Sequence, residues 1–336
     1  MTDIKTIMAC IDLSGYSPMT LGYALNLAEQ GDLKVTICSI VPLRDVNPVF
    51  MAEMMYPCRE DTKKYLDELK KNRKAQINEL INKLIMERFP KLSNKTDIRI
   101  STGYPADGIL DMIERIGPDL VVMANKGRSN LTRFMFGSTA EYVFRHSTIP
   151  LLSIRDKHIF QRMYSGKAAP EAGKIRIVMA AVDFSPWSPA VLAKAGWLAK
   201  ISGAKLYAFN CISTQEISWV KSHYIPENTF NLEQFLPKEK KRRHDLLAGQ
   251  IKAAGISSID GLNISIYSGV PYEQILSASQ EIGADVLVLG PRGRNRSARF
   301  ALGSTIEKIF RHSPVPVLRL GPDIIHLKNN PTGSAQ

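Results

Sequence analysis

Residues 286–293 read Val286-Leu287-Val288-Leu289-Gly290-Pro291-Arg292-Gly293, a short and continuously apolar run that ends in a glycine-containing turn. A strand that is apolar on both sides is typical of a parallel sheet covered by helices on both faces. A similar pattern stands at 120–127, which reads Leu-Val-Val-Met-Ala-Asn-Lys-Gly. Nine residues after each run, a Gly-Ser-Thr triplet opens a helical pattern, at 137–139 and at 303–305.

This similarity is part of an internal duplication. About 22 of the 53 positions from 102 to 154 are identical to the residue 166 positions later, with no gap. The fronts of the halves also match, because Asp12-Leu13-Ser14 corresponds to Asp183-Phe184-Ser185 at an offset of 171. A chain of 336 residues is long enough for about two domains. We therefore predict one domain over 1–155, a linker over 156–173, a second domain over 174–321 and a tail over 322–336.

Apolar runs alternate with helical patterns in both halves. This alternation predicts an α/β fold with two tandem, doubly wound, Rossmann-like parallel sheets and right-handed crossovers. Ser17 and Ser188, each followed by proline, are predicted to cap the first helix of each half. We predict five strands per domain, at 6–11, 34–41, 97–101, 119–124 and 150–154, and at 175–182, 204–212, 262–267, 284–290 and 315–320.

Composition narrows the class of protein. No apolar run approaches the roughly 20 residues of a membrane span, and the first residues do not resemble a signal peptide, so we expect a cytoplasmic protein. The four cysteines form no CxxC pair and have no histidine at metal-ligand spacing, so no metal ligand is assigned. Net charge is +12, but the basic clusters lack interleaved aromatic residues, so no nucleic-acid partner is expected.

Ligands of such sheets bind beyond the carboxyl ends of the strands, near the switch in strand order. An acidic residue follows the first strand of each half, Asp12 and Asp183. This carboxylate could accept hydrogen bonds from a ribose or a base, or it could cap the local turn. Position alone favours neither alternative.

The loop after the fourth strand carries the features of an anion site. In the second half, glycines allow close backbone approach, and Ser304 and Thr305 place hydroxyls and free N–H groups at a helix N-terminus, which binds phosphate. The pattern is neither a Walker loop nor GxGxxG, and a structural turn would also explain the glycines. The same loop contains four arginines, whose guanidinium groups are suited to bind phosphate oxygens: Arg292, Arg294, Arg296 and Arg299.

The run from 288 to 318 resembles the signature of universal stress proteins, whose nucleotide motif is Gly, two residues, Gly, nine residues, Gly, then Ser or Thr. The second half matches it fully at Gly290, Gly293, Gly303 and Ser304. The resemblance covers both halves. It implies ATP, or ADP or AMP, in each intact site, with Mg²⁺ bridging phosphate oxygens.

The resemblance also implies which residues touch the nucleotide. In the second half these are Asp183 at the adenine or ribose, Cys211 or Ile212 at the base, Gly290 and Gly293 along the ribose and phosphates, and Gly303, Ser304 and Thr305 at the phosphates. Leu289 and Arg292 are also implied to bind the nucleotide. In the first half the corresponding residues are Asp12, Ile40, Val41, Met123, Gly127, Gly137, Ser138 and Thr139.

The first half departs from the motif, because Ala124 stands where the second half has Gly290. An added methyl group could crowd the nucleotide, or strain the backbone if the position needs a positive φ. The sequence therefore ranks the second half as the better-preserved site.

The resemblance predicts a regulatory stress protein with slow or no hydrolysis, and no catalytic residue is assigned. Two alternatives stay open: an ATPase or nucleotidyl-transfer enzyme on the same fold, and a protein-interaction scaffold without nucleotide. Family members commonly pair through the fifth strand. This implies pairing of 150–154 with 315–320 within one chain, or a homodimer, and the protein partner is not identified.

Overall fold

The computed structural model describes residues 4–45, 60–126, 137–155, 173–223, 230–292 and 303–322. The chain divides into two compact units between Lys174 and Ile175, called here the first and second half. Apart from Gly173 and Pro322, the predicted linker and tail lie outside the described residues.

The first half contains one parallel five-stranded sheet in the order β3-β2-β1-β4-β5. The order reverses direction between β1 and β4, which leaves a crevice at the carboxyl ends of these strands. The elements are β1 (Thr6–Cys10), α1 (Ser17–Gly31), β2 (Lys34–Pro42), a 3₁₀ turn (Leu43–Asp45), α2 (Glu60–Arg88), a second 3₁₀ turn (Pro90–Lys95), β3 (Thr96–Gly103), α3 (Pro105–Ile116), β4 (Leu120–Ala124), α4 (Ser138–His146) and β5 (Leu151–Ile154).

The second half repeats this architecture, with strand order β10-β9-β6-β7-β8 and parallel pairing throughout. The predicted doubly wound α/β fold is thereby confirmed. The elements are β6 (Ile177–Ala181), α5 (Ser188–Ser202), β7 (Lys205–Ser213), α6 (Thr214–His223), α7 (Leu232–Ala253), β8 (Asn263–Gly269), α8 (Pro271–Glu281), β9 (Val286–Leu289), α9 (Ser304–His312) and β10 (Val317–Arg319).

Burial explains the unbroken apolar runs. Successive residues of β1, Ile7, Met8 and Ala9, are all buried although they point to opposite faces of the sheet. Helix α1 packs on β1, β2 and β4, and helix α3 packs on β2 and β3. Each face therefore needs apolar side chains.

One aspartate that occurs in both halves, Asp119 and Asp285, has a structural role. In the first half, Asp119 Oδ2 accepts hydrogen bonds from the backbone N–H groups of Lys5 and Thr6, at 2.9 Å each. In the second half, Asp285 Oδ2 accepts from Arg176 and Ile177 at 2.7 and 2.9 Å. These contacts tie the first and fourth strands at their amino ends, away from the predicted sites.

The predicted caps Ser17 and Ser188 are wrong. Both residues already belong to the helix, and the N-cap positions are Tyr16 and Trp187, neither of which makes a side-chain cap. The first helical bond closes on the Tyr16 carbonyl, which accepts from Thr20 N at 3.0 Å. The serine hydroxyls point instead to the preceding aspartates.

Candidate functional site

The loop after the first strand has the same unusual shape in both halves. Leu13 has φ 60° and Phe184 has φ 59°, a left-handed conformation that bulky residues seldom adopt. The preceding aspartate supports it in each half: Asp12 Oδ1 accepts from Ser14 N at 2.9 Å, and Asp183 Oδ1 accepts from Ser185 N at 3.0 Å. One of the two roles considered for these acids, the turn cap, is therefore present.

The first half holds a cavity of about 350 Å³ at the carboxyl ends of β1, β2 and β4, bordered by the starts of α3 and α4. This volume lies in the range of small-molecule sites. Val41 is buried and is not among its described lining residues, and Gly127 lies outside the described residues. The remaining predicted residues of this half all line the cavity: Asp12, Ile40, Met123, Gly137, Ser138 and Thr139.

The anion-binding features meet at one end of the cavity. Helix α4 begins at Ser138 with Gly137 as its N-cap, so its first N–H groups face the lining. Gly137 N donates to the Asn125 carbonyl at 3.0 Å, which holds the two ends of the intervening loop together. Lys126 also lines the cavity, where the alignment places Arg292 in the second half. A helix N-terminus and an ammonium group together favour a phosphate.

Ala124 needs no glycine-like backbone. It ends β4 and lines the cavity, and neither Ala124 nor Gly290 is among the described residues with positive φ. The alternative of backbone strain at Ala124 therefore does not apply, because neither position has a positive φ. What the methyl group changes is the cavity wall.

A pair of thiols forms part of the cavity wall, which the sequence analysis missed. Cys10 and Cys38 lie opposite each other in the β1–β2 register, and both line the cavity. A hydrogen bond with the Cys38 thiol, together with burial, raises the pKa of Cys10 well above its ordinary value. The sequence could have indicated this position of Cys38. Side chains two residues apart in a strand lie on the same face of the sheet, so Cys38 shares its face with Ile40.

Two tyrosines lie at the same cavity and were also missed. Tyr16 precedes α1, and Tyr104 precedes α3 and is 69% exposed. Tyrosine rings beside a cavity offer a flat apolar surface with a hydroxyl group. Each follows a strand-end loop, which is where such contacts are expected on this fold.

In the second half the predicted residues also lie at strand ends and at one helix start. Leu289 ends β9, Gly290 and Arg292 follow it, and Gly303, Ser304 and Thr305 open α9. Asp183 follows β6, and Cys211 and Ile212 lie near the end of β7. Gly293 and the other three loop arginines lie outside the described residues.

The end of β7 is held by a buried ionic network. Arg243 of α7 is 4% exposed and donates to Glu239 Oε1 at 2.7 Å and to Glu216 Oε1 at 3.1 Å. It also donates to Asn210 Oδ1 and to the Cys211 carbonyl, at 3.1 and 3.2 Å. The first half has a buried counterpart, since Arg73 donates to the Asp12 carbonyl at 3.1 Å.

In the described ranges, no group of three or more His, Cys, Asp or Glu side chains is placed to hold a metal ion. No helix within those same ranges combines the length and the apolar character that crossing a membrane requires.

The comparison with known proteins decides the family. The family model described as the universal stress protein family matches twice, at residues 3–155 and 174–320. The chain belongs to the universal stress protein family. As a tandem universal stress protein it resembles a crystallised universal stress protein from Archaeoglobus fulgidus, with 21% identity, a TM-score of 0.61, and 96% of this chain and 100% of that chain covered.

Two curated universal stress proteins are similar to this chain in sequence. One from Mycobacterium tuberculosis is 24% identical over 213 residues, which are 63% of this chain and 68% of that protein. One assigned to the family in Staphylococcus saprophyticus is 31% identical over 142 residues, 42% of this chain and 80% of that protein.

Proposed function

We propose that this universal stress protein binds an adenine nucleotide of the ATP class in the first-half cavity and acts as a regulator of the stress response. The carrying observation is that one cavity brings together the acid after β1, an apolar wall and the N-terminus of α4. A nucleotide requires an acceptor for its ribose hydroxyls, apolar surface for its base and hydrogen-bond donors for its phosphates. The glycine motif, in contrast, is better preserved in the second half.

The cavity is lined by residues suited to each part of the nucleotide. Ile40, Ile109 and Met123 supply apolar surface for the base, and Asp12 supplies an acceptor for ribose hydroxyls. The N–H groups at Ser138 and Thr139, with the Lys126 ammonium, suit the phosphates. Mg²⁺ is proposed to bridge phosphate oxygens, with water completing its shell, as is usual for this ion.

Equilibrium dialysis of the nucleotide-stripped full chain with ATP and Mg²⁺ tests the binding. We expect uptake, with Lys126→Ala weakening it about tenfold or more because a charge-assisted contact is lost. Lys34→Ala is the matched control, since Lys34 is exposed at the amino end of β2, away from the cavity. No uptake by the wild-type protein would contradict the proposal.

Slow or absent hydrolysis is part of the proposal. A phosphate-release assay with the same preparation measures it. Sustained turnover that disappears in Ser138→Ala would instead favour the ATPase alternative. Pairing through the two fifth strands, or as a homodimer, stays a prediction that solution scattering and molecular mass can test.

A further inference from the structure

The two halves differ in side-chain size at one position of the second strand. In the first half, Cys38 lies opposite Cys10 in the parallel register of β1 and β2. In the second half, Phe209 lies opposite Ala181 in the register of β6 and β7. The offset of 171 is the same for both strands, so Phe209 occupies the position of Cys38.

The face of the sheet is also the same. Cys38 lines the first-half cavity together with Ile109 of α3. The helix that corresponds to α3 is α8, whose last residue Glu281 accepts a hydrogen bond from Tyr267 Oη at 3.1 Å. The Tyr267 ring therefore lies on the α8 side of the sheet. The ring centroid of Phe209 is 5.2 Å from that of Tyr267, so Phe209 shares this side.

The Phe209 ring is fully packed. Its exposed fraction is 2%, and the ring tilts by 40° against that of Tyr267, a favourable arrangement for two aromatic rings. In the first half the equivalent residue, Cys38, is also buried, but its small thiol side chain lines the cavity. A base at the second-half position that corresponds to Cys38 would meet the ring of Phe209.

We propose that Phe209 fills the base subsite of the second half, so that one nucleotide binds per chain, in the first half. This inference rests on the proposed function and deepens it. It assigns the specificity of the two halves to the Cys38–Phe209 difference, although the second half carries the complete glycine motif. The motif describes where phosphates lie, and it contains no information about the second strand.

The stoichiometry of ATP uptake by the nucleotide-stripped full chain, measured by equilibrium dialysis and native mass spectrometry, tests the inference. We expect one ATP per chain. Two per chain would overturn this inference and leave the proposed function standing. No uptake would overturn both.

A matched pair of surface substitutions locates the site. Ser138 and Ser304 are both exposed at the first turn of a helix, so a carboxylate there is compatible with folding. We expect Ser138→Glu to abolish uptake by repelling phosphate and Ser304→Glu to leave one ATP per chain. Loss in Ser304→Glu alone would place the nucleotide in the second half and overturn the inference.

Exchanging the deciding residue completes the test. Phe209→Cys gives the second strand of the second half the residue of the first half, and we expect uptake to rise from one to two ATP per chain. Cys38→Phe should lower first-half affinity at least a hundredfold. Circular dichroism checks that both variants fold. A folded Cys38→Phe variant with unchanged affinity would overturn the inference.

Discussion

Trp187 lies directly against Gly290: a Cβ added to Gly290 would stand 3.1 Å from the Cβ of Trp187 and 3.4 Å from the Arg292 carbonyl oxygen. The nearest neighbour is a Cβ atom fixed to its own backbone, so it cannot move aside as a flexible chain end would. We predict that Gly290→Ala lowers the free energy of unfolding by about 1 kcal/mol through overpacking, measured by urea denaturation.

Gly249 provides the matched control for this substitution. It lies exposed inside α7, and an added Cβ would have nothing within 4 Å. Gly249→Ala should raise the free energy of unfolding by about 0.5–1 kcal/mol, because alanine is the better helix former. Equal effects of the two substitutions would contradict the packing argument.

The turn after β1 depends on Asp12, whose Oδ1 accepts from Ser14 N and Ser17 Oγ at 2.9 and 3.4 Å. Asp12→Ala removes these contacts and leaves Leu13 in its left-handed conformation without support. We predict a loss of about 1–2 kcal/mol in the free energy of unfolding. Asp12→Asn keeps an acceptor oxygen and should cost less.

A second substitution separates strain from other causes. Glycine adopts a φ near 60° without steric cost, so Leu13→Gly in the Asp12→Ala background should recover part of the lost stability. Urea denaturation of the single and double variants measures this. No recovery would show that the turn conformation is not what Asp12 supports.

Arg243 and Arg242 contact the same carboxylate from different surroundings. The Arg243 side chain is 5% exposed and that of Arg242 is 61% exposed. Arg243→Ala removes the hydrogen bonds to Glu239 and Glu216, while Glu239 keeps its contact with Arg242, and we predict a cost of about 2–3 kcal/mol in unfolding free energy. Arg242→Ala should cost less than about 1 kcal/mol because water screens that contact. Similar costs would contradict the assignment of the network to Arg243.

The same network predicts a dependence on acid. Hydrogen bonding from Arg242, and further from Arg243, lowers the pKa of Glu239 in the folded protein. A lowered carboxyl pKa stabilises the folded state above the ordinary carboxyl range, and this stability is lost as pH falls through the folded-state pKa. The gap in stability between the wild type and Arg243→Ala should therefore narrow in acid.

Cys211 should react slowly with alkylating agents. Burial, and then the charge of Glu216, raises its pKa to about 11. Because the thiolate is the reactive form, alkylation by iodoacetamide in the folded protein should rise about tenfold per pH unit over the neutral to mildly alkaline range. Peptide mass spectrometry follows it site by site. Glu216→Gln should increase the rate, and a pH-independent rate would contradict the prediction.

The repeated architecture follows from the amino-acid pattern alone. Apolar runs such as Val286–Leu289 are buried on both faces, so their composition alone indicates parallel strands under helices. The same pattern also located the strand ends and the helix starts of both sites, since proline, glycine and serine mark them locally. Asp12, Ile40, Met123 and Ser138, which the family resemblance implies as nucleotide contacts, line one cavity.

The surroundings of these residues depend on how the folded chain packs. The contact of Cys10 with Cys38, and of Phe209 with Tyr267, joins strands that are far apart along the chain, and register rather than local pattern sets which side chains meet. The motif favours the second half, whereas the cavity described above lies in the first. Short motifs record the backbone near the phosphates, but the space for a base depends on how side chains of neighbouring strands pack together.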